Sequence, residues 1–168
     1  MDQQIHKLFI SQSTRYITMS KERIIKCLNM VDDDQIWYCP NENSNSIGNL
    51  VLHLSGNIKQ YIISGLGEEK DERKRSEEFI KAQAFTRQEL LQKIDDIISK
   101  AIQIIEGVNV QKLNRTYSIQ GFSLSGLEVI LHVTEHLSYH TGQIALLTKI
   151  LENKDLGFYD GMDLNITN

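Results

Sequence analysis

The run SGLEVILHVTEHLSYHTGQIALLTKIL (residues 125–151) decides how this 168-residue chain is read. It contains no proline and opens on Ser125-x-x-Glu128. That pair is a capping box, in which hydroxyl and carboxylate satisfy each other's backbone N–H groups at a helix start. A helix from Gly126 to about Leu151 follows. His132, His136 and His140 recur on it at i, i+4 and i+8. At about 100° per residue they drift only about 40° per step, so all three share one face. Val129, Val133, Ile144, Leu147, Ile150 and Leu151 fall within about 80° of His136 on the same wheel. The histidines are therefore expected in the middle of the core-facing stripe.

Three more segments carry helical periodicity. Thr86-x-x-Glu89 is a second capping box, starting a helix at Arg87 that Leu90, Leu91, Ile94, Ile97, Ile98, Ala101 and Ile105 carry to Gly107. Ser46 is an N-cap for a helix over residues 47–63, with Leu50, Leu54, Ile58 and Tyr61 on its stripe and Gly65 and Gly67 as its stop. The first helix covers residues 5–31, with Leu8, Phe9, Tyr16, Met19, Ile24, Cys27, Leu28 and Val31 as its apolar face. Residues 32–46 read as a long connection. The mixed-charge run EEKDERKRSEE (68–78) reads as a solvated loop or helix extension. The stretch 115–122, with TYSIQGF at its heart, is β-rich but too short to own a sheet and reads as an extended connector. Residues 155–168 read as a loose polar tail. One proline and ten glycines leave few breakers, which favours long helices over a turn-rich sandwich or barrel. The expectation is an all-α four-helix bundle forming one domain over residues 1–168, with connections too long for a simple up-down order.

Charge and composition exclude several functions. The net charge is −4, and Lys and Arg are scattered, so no basic surface is available to track phosphates and nucleic acid is not expected as a partner. The longest charge-free stretch, 43–58, is broken by Asn, Ser, Gly and His, so no membrane span is expected. The first residues lack the basic-then-apolar pattern of a secretory signal. Cys27 and Cys39 form no CxxC motif and read as reduced structural thiols. The expected location is cytoplasmic.

The histidines carry the chemistry. A lone core histidine needs only a hydrogen-bond partner, whereas three on one apolar stripe bring many ring nitrogens to satisfy. An unpaired buried polar group costs about 1–3 kcal/mol. A divalent cation satisfies several at once, since neutral imidazole is the commonest metal ligand. HxxxH pairs on a helix suit such a site. The sequences HVTEH and HLSYH lack the HExxH base, and Glu135 points about 100° away from His136. A third ligand has to come from another helix. His53 is the candidate, on the edge of the second helix's stripe with Asn57 one turn further on. On spacing alone, His53 reads equally as a boundary histidine capped by solvent, and His6 reads as a surface residue. His132 and His140 lie about 12 Å apart in rise, so one ion reaches His136 and only one of its neighbours.

SIGNLVLHLSGNIKQYIISGLG, the run DERKRSEEF and LHVTEHLSYHTGQIALL together resemble the DinB/YfiT-like superfamily over nearly the whole chain. The resemblance implies a four-helix bundle with up-down-down-up connectivity. It also implies a divalent metal held by His53, His136 and His140, with His132 beside the site rather than on the ion. Characterised members of that superfamily are thiol-dependent transferases or isomerases using low-molecular-weight bacterial thiols, and many others have no known activity. A homodimer is a further implication.

Three neutral ligands leave an ion open positions, the mark of a catalytic site. Thiol transfer to a small-molecule electrophile is the first expectation and metal-dependent hydrolysis the alternative. A non-enzymatic metal-binding or stress-related interaction protein also stays open. A closed site, or a dry core with His–His hydrogen bonds, would favour that last reading. Imidazole serves Zn²⁺ and Ni²⁺ alike. His132, Gln143, Asn57 and Tyr139 are expected to line the pocket or support the ligands, with Tyr139 about 60° from His136. Tyr139 reads equally as interhelical packing. Trp37 and Tyr38 read as a core-capping aromatic pair. No nucleophile motif, phosphate loop or general base is visible.

Overall fold

The three expected caps form as written. In the computed structural model, which describes residues 3–80 and 85–167, Ser46, Thr86 and Ser125 each accept from the third backbone N–H of a helix. The residues at that third position, Asn49, Glu89 and Glu128, return the bond. They start α3 (Ile47–Ile58), α4 (Arg87–Glu106) and α6 (Gly126–Glu152). The first helix, α1, spans Gln3–Met30. Two short helices sit in the connections: α2 (Asp33–Ile36), capped by Asp32 and Gln35, and α5 (Val110–Asn114), capped by Asn109.

Among the described residues, α1, α3, α4 and α6 pack as a four-helix bundle. Contacts along their lengths fix the directions. Lys21 meets Asp95 and Ser99, and His6 meets Val108, so α1 and α4 run antiparallel. Leu52 lines the same groove as Lys93, and Gly67, past the end of α3, lies beside Ile104, so α3 and α4 run parallel. His53 faces His136 and Tyr61 faces His132, so α3 and α6 run antiparallel. Connectivity is up-down-down-up. The core is built from Ile17, Ile24 and Leu28 of α1, Leu54 and Ile58 of α3, Leu90, Ile94 and Ile98 of α4, and Val129, Val133, Leu137 and Ile144 of α6.

Four local readings need correction. The first half of the α1 stripe is displaced: Leu8 and Tyr16 are exposed, while Ile10, Ser13, Ile17 and Ser20 face inward. Small serines there let α1 approach its neighbours, and apolarity alone misses them. The second helix continues past Ile58 as a π-helix, Lys59–Leu66, closed by Gly67 N–H on the Ile62 carbonyl. Tyr61, Ile62 and Ile63 are all buried. They are buried together because α4, α6 and residues 116–119 all pack against this segment. The TYSIQGF connector is a two-stranded antiparallel hairpin, β1 (Thr116–Ile119) with β2 (Phe122–Ser125). Gln120 and Gly121 both take positive φ, 53° and 82°, the turn that matches the twist of a tight hairpin.

The charged run is the fourth correction. Only part of it is solvated. Arg75–Phe79 form a 3₁₀ turn, and the segment lies along α3 as a strap. Gln60 donates to Asp71, and Asn49 donates to the Glu78 and Ile80 carbonyls. Arg73 and Glu78 turn inward, and their side chains are 3% and 9% exposed. After α6, Leu156 is buried and Lys26 donates to the Gly157 carbonyl, so the first part of the segment read as loose rests on α1. No helix of the described residues is long and apolar enough to cross a membrane.

The α6 start gives a stability test. Ser125→Ala removes one cap and should cost about 1 kcal/mol. Gly126→Ala should cost more, because a Cβ there overlaps the Lys112 carbonyl oxygen. Urea unfolding followed by circular dichroism measures both.

Candidate metal centre

His53 sits mid-way along α3 and is 6% exposed. Both of its ring nitrogens are engaged. Nδ1 donates to Glu78 Oε2 at 2.9 Å, and Nε2 faces His136 Nε2 at 3.0 Å. Glu78 is itself held by Arg73, whose Nε reaches Oε1 at 2.7 Å and Nη2 reaches Oε2 at 2.9 Å. Arg73 Nη1 donates to Gln60 Oε1 at 2.9 Å. Arg73 Nη2 lies 3.3 Å from His53 Nδ1 because both donors converge on the same carboxylate oxygen. Gly56, one turn after His53 on α3, makes room for this pair: a Cβ there would overlap Glu78 Oε1.

From α6, His136 and His140 complete the cluster. One nitrogen each of His53, His136 and His140 lies within 4.8 Å of the others, a set that could hold a metal ion. His140 Nδ1 donates to Gln143 Oε1 at 2.7 Å, which leaves its Nε2 for the centre. His136 and His140 are half-buried. The α6 histidines are not in the middle of the core stripe. Val129, Ile130, Val133, Leu137, Thr141 and Ile144 are buried, centred roughly 90° round the helix from His136. Leu131, Leu146 and Ile150 are apolar but exposed. Apolar residues thus cover more of α6 than the core uses, which drew the wheel toward the histidines. They occupy its edge, against α3.

His132 lies apart from the three. Its ring packs between Tyr61, at 4.4 Å, and His136, at 5.4 Å. Asn57 Nδ2 is 3.4 Å from His132 Nε2, and Asn57 Oδ1 is buried without a hydrogen-bond partner. The Tyr61 hydroxyl donates to Gln120 Oε1 at the hairpin turn. Tyr139 packs edge-on against His140 at 5.0 Å and is otherwise exposed. Phe79 packs against His53 at 5.0 Å, and the Arg75 guanidinium lies over the Phe79 ring. Trp37 caps the core against Gly48 and donates to the Phe85 carbonyl, whereas Tyr38 is exposed. His6 is half-buried and bonded to the Val108 carbonyl rather than free on the surface.

The electrostatics favour neutral imidazoles at the three α6 histidines. Burial, then the neighbouring His140, His132, His53 and Arg73, push His136 down to about 3. Burial also lowers His132, and it lowers His140 against the opposing bond from Gln143. For Glu78, burial would raise the carboxyl, but the bonds and charges of Arg73 and His53 overcome it and hold it below the usual range. Neutral rings present lone pairs, as cation ligands must.

Sequence reasoning missed Arg73, Glu78, Phe79 and Gly56 as parts of this cluster. The available signal was indirect. A histidine that ligates a metal needs a partner on its other nitrogen, and the run DERKRSEEF supplies an Arg and a Glu just before an aromatic.

A four-helix bundle in this order is the fold of solved DinB-like proteins. The chain belongs to the family described as protein of unknown function (DUF1572), whose model matches residues 4–159. Solved structures agree on the fold. A DinB-like protein from Bacillus cereus is 15% identical, with TM-score 0.64, over 80% of this chain and 87% of that one. A conserved protein from Enterococcus faecalis is 12% identical, with TM-score 0.74, over 86% and 97%. A mycothiol-dependent maleylpyruvate isomerase is 12% identical, with TM-score 0.64, over 80% of this chain but 60% of its own. No curated protein matches this chain in sequence.

The lowered histidines set a pH dependence. An unfolded histidine takes up a proton near 6.5, while folded His136 resists down to about 3. The unfolded state then binds more protons, so stability falls with pH below about 6.5. Chelator-treated protein should lose stability steadily between pH 6.5 and 4.5, above the range where carboxylates titrate. His136→Gln should flatten that slope in denaturant titrations.

Proposed function

We propose that this chain is a divalent-metal-dependent enzyme whose ligands are His53, His136 and His140, and that it transfers a low-molecular-weight thiol to, or isomerises, a small electrophilic substrate. The observation that carries the reading is the convergence of one imidazole nitrogen each from His53, His136 and His140, on two helices, to within 4.8 Å of one another, with two of the rings half-open to solvent. A bound Zn²⁺ or Ni²⁺ would retain its full charge on such ligands and favour the thiolate form of a thiol placed beside it.

The chain's own residues have definable tasks. His53 is the anchored ligand, fixed from behind by Glu78. Gln143 orients His140. Phe79 and Tyr139 flank the rings and limit water. His132 and Asn57 form a polar wall between the centre and the hairpin, where they can orient a substrate. The nucleophile has to be supplied from outside. Cys27 is buried, with burial pushing its thiol up, and Cys39 lies in the connection beside Trp37. A cosubstrate thiol fits that need, and the mycothiol-dependent isomerase of the same fold supports it. The 3.0 Å contact between His53 and His136 is a His–His bond. It does not belong to a dry core, because His136 and His140 keep solvent exposure.

Metal content tests the ligand set. Purified protein should carry one divalent ion per chain by elemental analysis. His53→Ala and His140→Ala should abolish it, while His132→Ala keeps most of it. Loss with His132→Ala and retention with His140→Ala would move the site one turn earlier on α6.

Activity tests the reaction. The reloaded protein should conjugate a bacterial low-molecular-weight thiol to a small electrophile, and stripping the ion should abolish turnover. Full-rate turnover of a hydrolysable substrate without any thiol would replace this reading with a metal-dependent hydrolase.

A further inference from the structure

We infer that the buried Arg73–Glu78 pair, admitted by Gly56, is a positioning device that sets the tautomer and aim of His53 toward the centre. The metal part of this inference rests on the ligand set proposed above, and the ring geometry does not.

A lone carboxylate beside an imidazole can swing and present either oxygen. Here Arg73 binds both oxygens, at 2.7 and 2.9 Å, and is itself tied to Gln60. The fork fixes the carboxylate plane, as paired Arg–carboxylate bonds do. Glu78 Oε2 then has one acceptor direction left, and His53 Nδ1 fills it at 2.9 Å. A proton on Nδ1 leaves the lone pair on Nε2, the nitrogen that faces α6. Phe79 against the ring at 5.0 Å limits rotation out of that plane.

The local sequence serves this arrangement at three places. Asn49 holds the strap by the Glu78 and Ile80 carbonyls. Gln60 and Asp71 hold its other end. Gly56 lies where a side chain would displace the carboxylate. A charged pair this buried gains little stability over apolar groups of similar size. Its cost is explained when it orients a ligand, since such outer partners change metal affinity about 10–100-fold.

The test separates orientation from stability. Single substitutions strand a buried charge and can unfold the chain, so the informative variant removes both: Arg73→Met with Glu78→Leu. Circular dichroism and urea midpoints report whether it folds. In metal-free protein, ring ¹⁵N shifts should show His53 as the Nδ1–H tautomer, and the double variant should lose that preference. Zinc titration against a competing chelator should show affinity about 10–100-fold weaker than the parent, with His53→Ala as the lower bound. Gly56→Ala, which keeps both charges and displaces the carboxylate, should weaken zinc in the same direction. A folded double variant with unchanged His53 shifts and unchanged zinc affinity would reduce the pair to packing and overturn the inference. If the parent binds no zinc while the double variant still loses the Nδ1–H preference, the orienting role stands and the ligand proposal falls.

Discussion

A buried imidazole needs a partner on each of its two nitrogens, and His53 answers that need in opposite directions. Behind it stands a carboxylate, before it the histidines of α6. Leaving either side empty would cost about 1–3 kcal/mol, so the two sides depend on each other. The rear partner requires the strap to cross α3 and turn two charged residues inward. The front partners require α6 to run past α3 in the opposite sense, at a register that brings His136 level with His53.

The bundle topology supplies that register. Because α3 and α6 are antiparallel, positions that advance along α3 retreat along α6: His53 meets His136, and Tyr61 meets His132. The π-helix at Lys59–Leu66 contributes at the second contact. It directs Tyr61 onto the His132 ring while Ile62 and Ile63 stay buried. The hairpin closes the same end, with Gln120 accepting from Tyr61. Departures from regular helix often mark functional segments, and this one lies at the edge of the histidine cluster.

How much of this was legible follows from the kind of signal each element carries. The starts at Ile47, Arg87 and Gly126 were readable because capping is local: Ser46, Thr86 and Ser125 bond residues three positions away. The histidine spacing was readable because an α-helix has a fixed period. The phase of the α1 stripe was not, because Ser13 and Ser20 are buried for their size and not for their polarity. The hairpin turn was obscured by Gln120, which takes a left-handed conformation usually held by Gly or Asn. The strap was the largest miss. A run of mixed charge is solvated unless some residue elsewhere needs it, and the need here is His53, some twenty residues earlier in the chain.

A structural ion is closed by four protein ligands, while a catalytic one keeps a place free. Among the described residues the convergent group has three members, two of them half-exposed. The nearest extra histidine, His132, is held off by its own stacking between Tyr61 and His136. Its ring therefore lies beside the three-histidine group. A buried ion pair backs His53, and the side toward His132 and Asn57 is polar. That asymmetry, rigid behind and open in front, is what a centre needs if it is to bind a substrate beside an ion rather than only to tie two helices together.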